Sequence, residues 1–330
     1  VPGLTPPAPT PLPAAPAVVV GPGRTVAYGT YVGRAGTANV GDAGHGPGWR
    51  IRRWKRWHYV SVAGDDVILA VAVVDTGWAS SAFAYCFDRR RRELVADRSV
   101  LGLPGRAVVA ERPGAPVQSQ FRSGRLFVRL RAEPDGTWRL EARSRDLTVD
   151  ATLVEQPTMP TLCAVARVPG GILDCTHKTP GLSVTGVAGA GGRTWSLDGA
   201  FAALDHTSGL LAHRTAWRWA SGCDGEIACN FTAGFTAPAE NAVWVGGELR
   251  AVGPVTFTFD AEHPLEPWHI ADEAGEVDLE FMPEGLRRQH QALLVAESSY
   301  VQPVGTFRGT LCGRAVRALP GVTEDHVARW

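Results

Sequence analysis

The sequence has no net charge: 33 Lys and Arg are balanced by 33 Asp and Glu. That balance excludes a global field able to recruit nucleic acid or an anionic membrane surface, so any partner must be chosen by local chemistry. No run of about 18 apolar residues is present, which excludes a membrane-spanning helix. The opening "PAAPAVVVGPG" is too short and too proline-rich to be the apolar part of a secretion signal, and the expected location is the cytoplasm. The six cysteines contain no Cys-x-x-Cys, and their spacing fits neither a zinc site nor a dense disulfide framework. Buried thiols are expected, with Cys223 and Cys229, which flank "DGEIA", the one pair a hairpin could join. Phosphate-loop, dinucleotide-fold, His-Glu-x-x-His and Gly-x-Ser-x-Gly signatures are all missing. No cofactor and no metal is expected.

Helical spacing is scarce as well. The best candidate, "PEGLRRQHQALL" over residues 283–294, runs into β-rich sequence and predicts at most a turn or two of helix. What fills the chain instead is short apolar or alternating runs punctuated by Gly, Asp-Gly and Pro, the grammar of antiparallel strands. "AEPDGTW" is the clearest hairpin, because Asp-Gly supplies a positive φ between two alternating runs. Residues 1–23 are proline-rich and aperiodic and predict an extended arm over the surface. The second half then echoes the first. "WKRWHYV" is followed by "VAVVDTGWASSAFAYCFD" as "TAWRWAS" is followed by "ACNFTAGFTAPAENAVWVGG". The fold class is all-β, read as two antiparallel barrel-like units over residues 24–160 and 161–330, the prolines near 157–165 marking the join.

Within "LDHTSGLLAHRTAWRWASGCDG", strand alternation puts Trp217 and Trp219 on one face and Arg218 on the other. Two indoles on an inward face line either a core or a cavity. Asp205 and His206 are adjacent, so only one of them can enter that interior. A carboxyl sheltered there needs a partner or a raised pKa, and a protonated carboxyl among rings is a proton donor. The competing reading makes Asp205 a turn cap and His206 a solvated ring. "LDCTHKTPG" adds Asp174, His177 and Lys178, of which His177 could meet Asp205 across neighbouring strands. In "WRIRRWKRW", Trp54, Lys55 and Trp57 fit an alternating strand with rings inside, and the closing "EDHVARW" could bring Glu324 or His326 near a barrel mouth.

The succession "TWSLDGAFAALDHTSG", "TAWRWASG", "GEIACNFTAGF", "NAVWVGGELRAVGPVTFTFD" and "GVTEDHVARW" resembles the bacterial family called domain of unknown function 2804, over nearly the whole chain. Within it, "LDGAFAALDHTSG" followed by "AWRWASGCDGE" is more distantly similar to the Gly, Asp-His, Trp-x-Trp and Asp-Gly succession of the carotenoid-hydratase and AttH-like proteins. The resemblance implies two lipocalin-like (calycin) antiparallel β-barrel or half-barrel units packed together. For the hydratases it implies protonation of an isoprenoid double bond by an aspartic acid without cofactor. Carried onto this chain, it makes Asp205 the acid and His177 its partner. The sequence departs from the hydratases at Thr179 and Ala203, where they carry aromatics.

The expected function is a cofactor-independent lyase, hydratase or cyclase acting on a small lipophilic molecule of terpenoid or polyketide-like type. Asp205 would act as acid with His177 or His206 tuning it, and Trp217, Trp219 and Trp244 would form the apolar wall. Lys178, Asn230 and Trp54 complete the expected substrate contacts. Two rivals stand beside it: a carrier of a lipophilic ligand, and a glycoside hydrolase pairing Asp205 with Glu226 or Asp198. No oligomeric state is read from the sequence.

Overall fold

The computed structural model describes residues 11–44, 46–111, 118–292 and 297–329. Nearly all regular structure in it is antiparallel β, arranged as two calycin-like barrel or half-barrel sheets packed together. The first sheet runs from Glu93–Gly102 through Ser80–Asp88, Val67–Asp75, Trp54–Ala63, Phe201–Leu210 and Asp174–Ala190. It continues through Leu147–Val154, Thr137–Ser144, Leu126–Ala132 and Gln118–Arg122 to Ala107–Val108. Leu162–Ala166 attaches beside Asp174–Ala190 and carries Gly29–Val32 on its other edge. The second sheet orders Glu248–Ala251, Ala242–Val245, Ile227–Ala233, Arg214–Cys223, Arg314–Arg329, Glu297–Leu311, Val277–Ala292, Trp268–Asp272 and Val255–Thr258.

Period-two alternation builds each core. In Leu126–Ala132, Leu126, Val128, Leu130 and Ala132 point into the first barrel while Phe127, Arg129 and Arg131 point away. Its partner Thr137–Ser144 is joined through the expected Asp135-Gly136 turn, where Gly136 takes φ 85°. Val67–Asp75 is different: its buried positions are consecutive. Val67, Leu69, Val71 and Val73 fill the first barrel, whereas Ile68, Ala70 and Ala72 face the second sheet with Trp219, Val304 and Val322. A continuous apolar run is what a strand covered on both sides requires. Burying Ile68 completely contributes about 1.5–3 kcal/mol to holding the sheets together. Arg89 with Glu284 and the fully buried Arg287 with Asp97 add ion pairs across the same seam.

The two sheets share one topology. In each, an aromatic strand (Trp54–Ala63 or Arg214–Cys223) starts a meander of four strands, and its other edge pairs with the last strand of the unit, Phe201–Leu210 or Arg314–Arg329. The echo between the halves is therefore reflected in strand order, but the join is displaced. The chain changes sheet between Leu210 and Arg214, not at 157–165, because Leu162–Ala166 and Asp174–Ala190 pair back into the first sheet.

Three further expectations are corrected. Through Ala292, the helix candidate is strand, paired along Glu297–Leu311 with a bulge between Pro283 and Gly285; Leu293 and Leu294 lie outside the described residues. The arm is not wholly superficial: Val19 and Val20 are buried with Cys163, Cys175 and Leu210, while residues 1–10 lie outside the described residues. Cys223 and Cys229 are free, since the register sets Cys223 opposite Ala228 and so turns the two cysteines to opposite faces.

Candidate functional site

The facing surfaces of the two sheets enclose a cavity of about 130 Å³. Comparable engineered apolar cavities of ~150 Å³ stay dry and admit a benzene-sized group. Two aromatic strands, Trp54–Ala63 and Arg214–Cys223, supply four of its rings. Trp57 stacks on Trp217 with ring centroids 6.3 Å apart, and Tyr59 meets Trp219 edge-on at 5.5 Å. Phe83, Phe235 and Tyr300, with Ala72 and Val74, complete the apolar lining.

Register explains why these residues converge. Across Trp54–Ala63 and Phe201–Leu210, Trp57 lies opposite Thr207 and Tyr59 opposite Asp205. Across Arg214–Cys223 and Arg314–Arg329, Trp217 lies opposite His326 and Trp219 opposite Glu324. One strand further out, Lys178 lies opposite Asp205, and Gln302 donates to Glu324 at 2.7 Å. The two halves thus present matching positions face to face. They differ in charge: Lys178 and Asp174 on the first sheet answer to Gln302 and Ser298 on the second.

Four acidic side chains line the cavity, and three of them are satisfied. Asp205 accepts from Thr207 at 3.0 Å and Thr176 at 3.2 Å, and pairs with the Lys178 ammonium at 2.8 Å. Glu240 pairs with the same ammonium at 2.9 Å and accepts from Thr236. Glu324 accepts from Trp217 at 3.0 Å as well as from Gln302. Asp174 is the exception. It is 1% exposed and its Oδ1 has no partner among the described residues. Gly209 makes room for it, since a Cβ there would fall 2.4 Å from that oxygen. Burial pushes the Asp174 carboxyl well above its ordinary value of 3.8; Glu240 adds to the shift, Lys178 opposes it, and Asp205 reinforces it. For Lys178, burial pulls the ammonium down, but Asp205 and Glu240 overcome it and hold it above its ordinary range. The site therefore sets a carboxyl whose pKa is raised by burial beside an ammonium held between two acidic side chains.

The expected residues separate into those at the cavity and those away from it. Asp205, Lys178, Trp217 and Trp219 line it, as do Glu324 and His326 of the terminal strand. His177 does not face Asp205. It is one residue from Lys178, so it points through the opposite face and lies opposite His206 in the register. His206 is in the first barrel, its Nε2 2.6 Å from the Ala110 carbonyl and its ring edge-on to His58. Burial first, then His177, lowers the His206 pKa to about 4. Trp54 is likewise on the far face, donating to Ser208 at 3.0 Å under the Arg56 guanidinium. Trp244 is fully buried and donates to the Pro160 carbonyl, outside the main cavity. Asn230 acts behind the wall, accepting from the Trp219 indole at 2.9 Å and donating to the Glu240 carbonyl at 2.8 Å. The proposed hydrolase partners are absent from the lining: Glu226 is exposed with Arg314, and Asp198 accepts from the Gly186 amide in an exposed turn.

Sequence reading missed the weight of Asp174, Glu240 and Tyr59. Asp174 stood in the quoted "LDCTHKTPG", and its parity with Lys178 was the signal that could have found it. Among the described residues, one group could hold a metal ion: Cys163, Cys175 and His177, on the far face of the same strands.

This architecture is that of a calycin-like double barrel with an internal aromatic cavity. The family described as "Domain of unknown function (DUF2804)" matches residues 34–330, and the chain belongs to it. Similar solved structures include a Nitrosomonas europaea protein described as an AttH, at 16% identity and TM-score 0.57, covering 94% of this chain and 98% of that one. CghA is similar at 11% identity and TM-score 0.59, with 84% and 88% covered. Kievitone hydratase from Nectria haematococca is similar at 13% identity and TM-score 0.52, with 96% and 97% covered. No curated protein matches the sequence.

Proposed function

We propose that the protein is a cofactor-independent lyase, hydratase or cyclase that protonates a lipophilic substrate held between the two sheets, with Asp174 as the proton donor. The observation that carries this reading is the Asp174 carboxyl: fully buried, unpartnered at Oδ1, and bordering a cavity walled by indoles. A neutral acid in apolar surroundings can deliver its proton to an alkene or enol carbon, because the carboxylate it becomes is stabilised by the Lys178 ammonium. The carbocation formed meets the π faces of Trp57, Trp217 and Trp219 and the Asp205 and Glu240 carboxylates. Capture by water, with its proton returned to Asp174, completes a hydration. Loss of a neighbouring C–H proton to Asp174 completes an isomerisation or cyclisation.

A second space of about 140 Å³ adjoins the cavity, sharing Val74, Phe83, Tyr300 and His326 with it and adding Gln289, Gln291 and Ser298. That a hydratase stands among the similar folds is compatible with the chemistry. In the test, lipophilic ligands retained by the protein are identified by native mass spectrometry and incubated with wild type and Asp174→Asn. Conversion by wild type that drops about 100- to 10,000-fold in the variant supports acid catalysis. Equal conversion by both overturns the role of Asp174, and a ligand returned unchanged by wild type favours carriage.

A further inference from the structure

Behind the cavity, the opposite face of the Leu162–Ala166 and Asp174–Ala190 strands carries a group the proposed chemistry does not use. Cys175 and His177 are two residues apart and therefore share a face, and Cys163 lies opposite His177 in the register. The two sulfurs and one imidazole nitrogen lie within 4.8 Å of one another. Two sulfurs bound to one ion at about 2.3 Å each stand at most about 4.6 Å apart, so a single ion reaches all three with little movement. All three side chains are buried, at 0%, 0% and 2% exposure. Val19, Val20, Ala35, Leu173 and Leu210 enclose the cysteines in an apolar cluster.

We propose that Cys163, Cys175 and His177 bind one thiophilic metal ion, Cu(I) or Zn(II), which fastens the N-terminal arm to the first sheet. Soft thiolates with an imidazole are the donor set both ions select. His177 Nε2 accepts from the Ala35 amide at 3.2 Å and Nδ1 has no hydrogen-bond partner among the described residues, so an ion bound at Nε2 displaces that amide. Binding replaces two S–H bonds by two sulfur–metal bonds and releases two protons to solvent. Val19 and Val20 of the arm pack in the same cluster as Cys163 and Cys175, so metal binding and arm docking are coupled. The ligands come from two strands separated in sequence, which is why no spaced motif announces them.

The test uses the full chain, reduced and metal-free, titrated anaerobically with Cu(I) or Zn(II) against a chromogenic chelator. One equivalent should bind, with an X-ray absorption spectrum showing two sulfurs and one nitrogen, and protease attack within residues 11–44 should slow. Cys163→Ser and Cys175→Ser should each weaken binding by more than about 100-fold, the upper end of what losing an outer-shell partner costs, while Cys223→Ser should bind normally. Stronger retention of one ion identifies the metal. Should the serine variants not fold, the stoichiometry and absorption spectrum of wild type decide the matter. No bound equivalent, binding unchanged in the folded serine variants, a spectrum without two sulfurs, or a Cys163–Cys175 disulfide in protein isolated from cells would each overturn the proposal.

Discussion

Lys178 and Asp205 face each other across neighbouring strands, ammonium to carboxylate at 2.8 Å, while Asp174 on the same strand as Lys178 lies opposite Gly209 and carries no ion pair among the described residues. Two aspartates of one wall are thereby given different tasks. Asp205 neutralises a buried cation. Asp174 has its pKa raised, chiefly by burial.

The first prediction concerns that division. Lys178→Met leaves Asp205 and Glu240 buried without their cation, and breaking a buried pair in this way costs about 3–5 kcal/mol. Denaturant unfolding should register the loss. Asp174→Asn, an amide of the same shape, should change stability little below pH 3.8, where folded and unfolded chains both keep the Asp174 proton.

A second prediction follows from linkage. Between 3.8 and its raised value, the folded chain holds the Asp174 proton that the unfolded chain has released. Stability from this group is therefore full below 3.8 and falls as pH rises through the folded pKa. Unfolding free energy measured across acid to neutral pH should decline less steeply in Asp174→Asn than in wild type.

Gly209→Ala isolates geometry from charge. Its Cβ would stand 2.4 Å from Asp174 Oδ1 and 2.4 Å from Leu211 Cδ2, so the carboxyl must move. Turnover should fall by at least about tenfold, equivalent to ~1.4 kcal/mol in the barrier, in a variant that still folds by circular dichroism. Retained turnover would mean that the placement of the carboxyl is not critical.

The aromatic wall predicts a binding phenotype. Trp217→Leu removes the stack on Trp57 and the donor to Glu324. Affinity for a retained lipophilic ligand, read by fluorescence titration, should fall about tenfold or more, at least ~1.4 kcal/mol. Trp244→Phe should leave it within about twofold, because that indole packs outside the main cavity.

Much of the fold was legible because it rests on local rules. Asp135-Gly136 announced its hairpin, alternation put Trp217 and Trp219 on one face, and the echo of aromatic strands matched the repeated strand order. What the sequence could not convey was register. A shift of one residue exchanges the faces of a strand, so His177 and Lys178 trade places as the partner of Asp205. The join between units was misplaced for a related reason: Pro157 and Pro160 read as a boundary, yet the next two strands return to the first sheet. The segment around Arg287 offered the best helical spacing in the chain, yet it pairs as strand with Glu297–Leu311. In the structure that guanidinium is fully buried over Phe83 and Tyr300.

The most direct test of the account is the protonation state of one side chain. A carbon-13 NMR titration of the aspartate carboxyls, with the Asp174 resonance assigned by its loss in Asp174→Asn, reads it without knowledge of the substrate. The account predicts that Asp174 titrates well above the ordinary aspartate value of 3.8. An Asp174 carboxyl titrating at that ordinary value would contradict it.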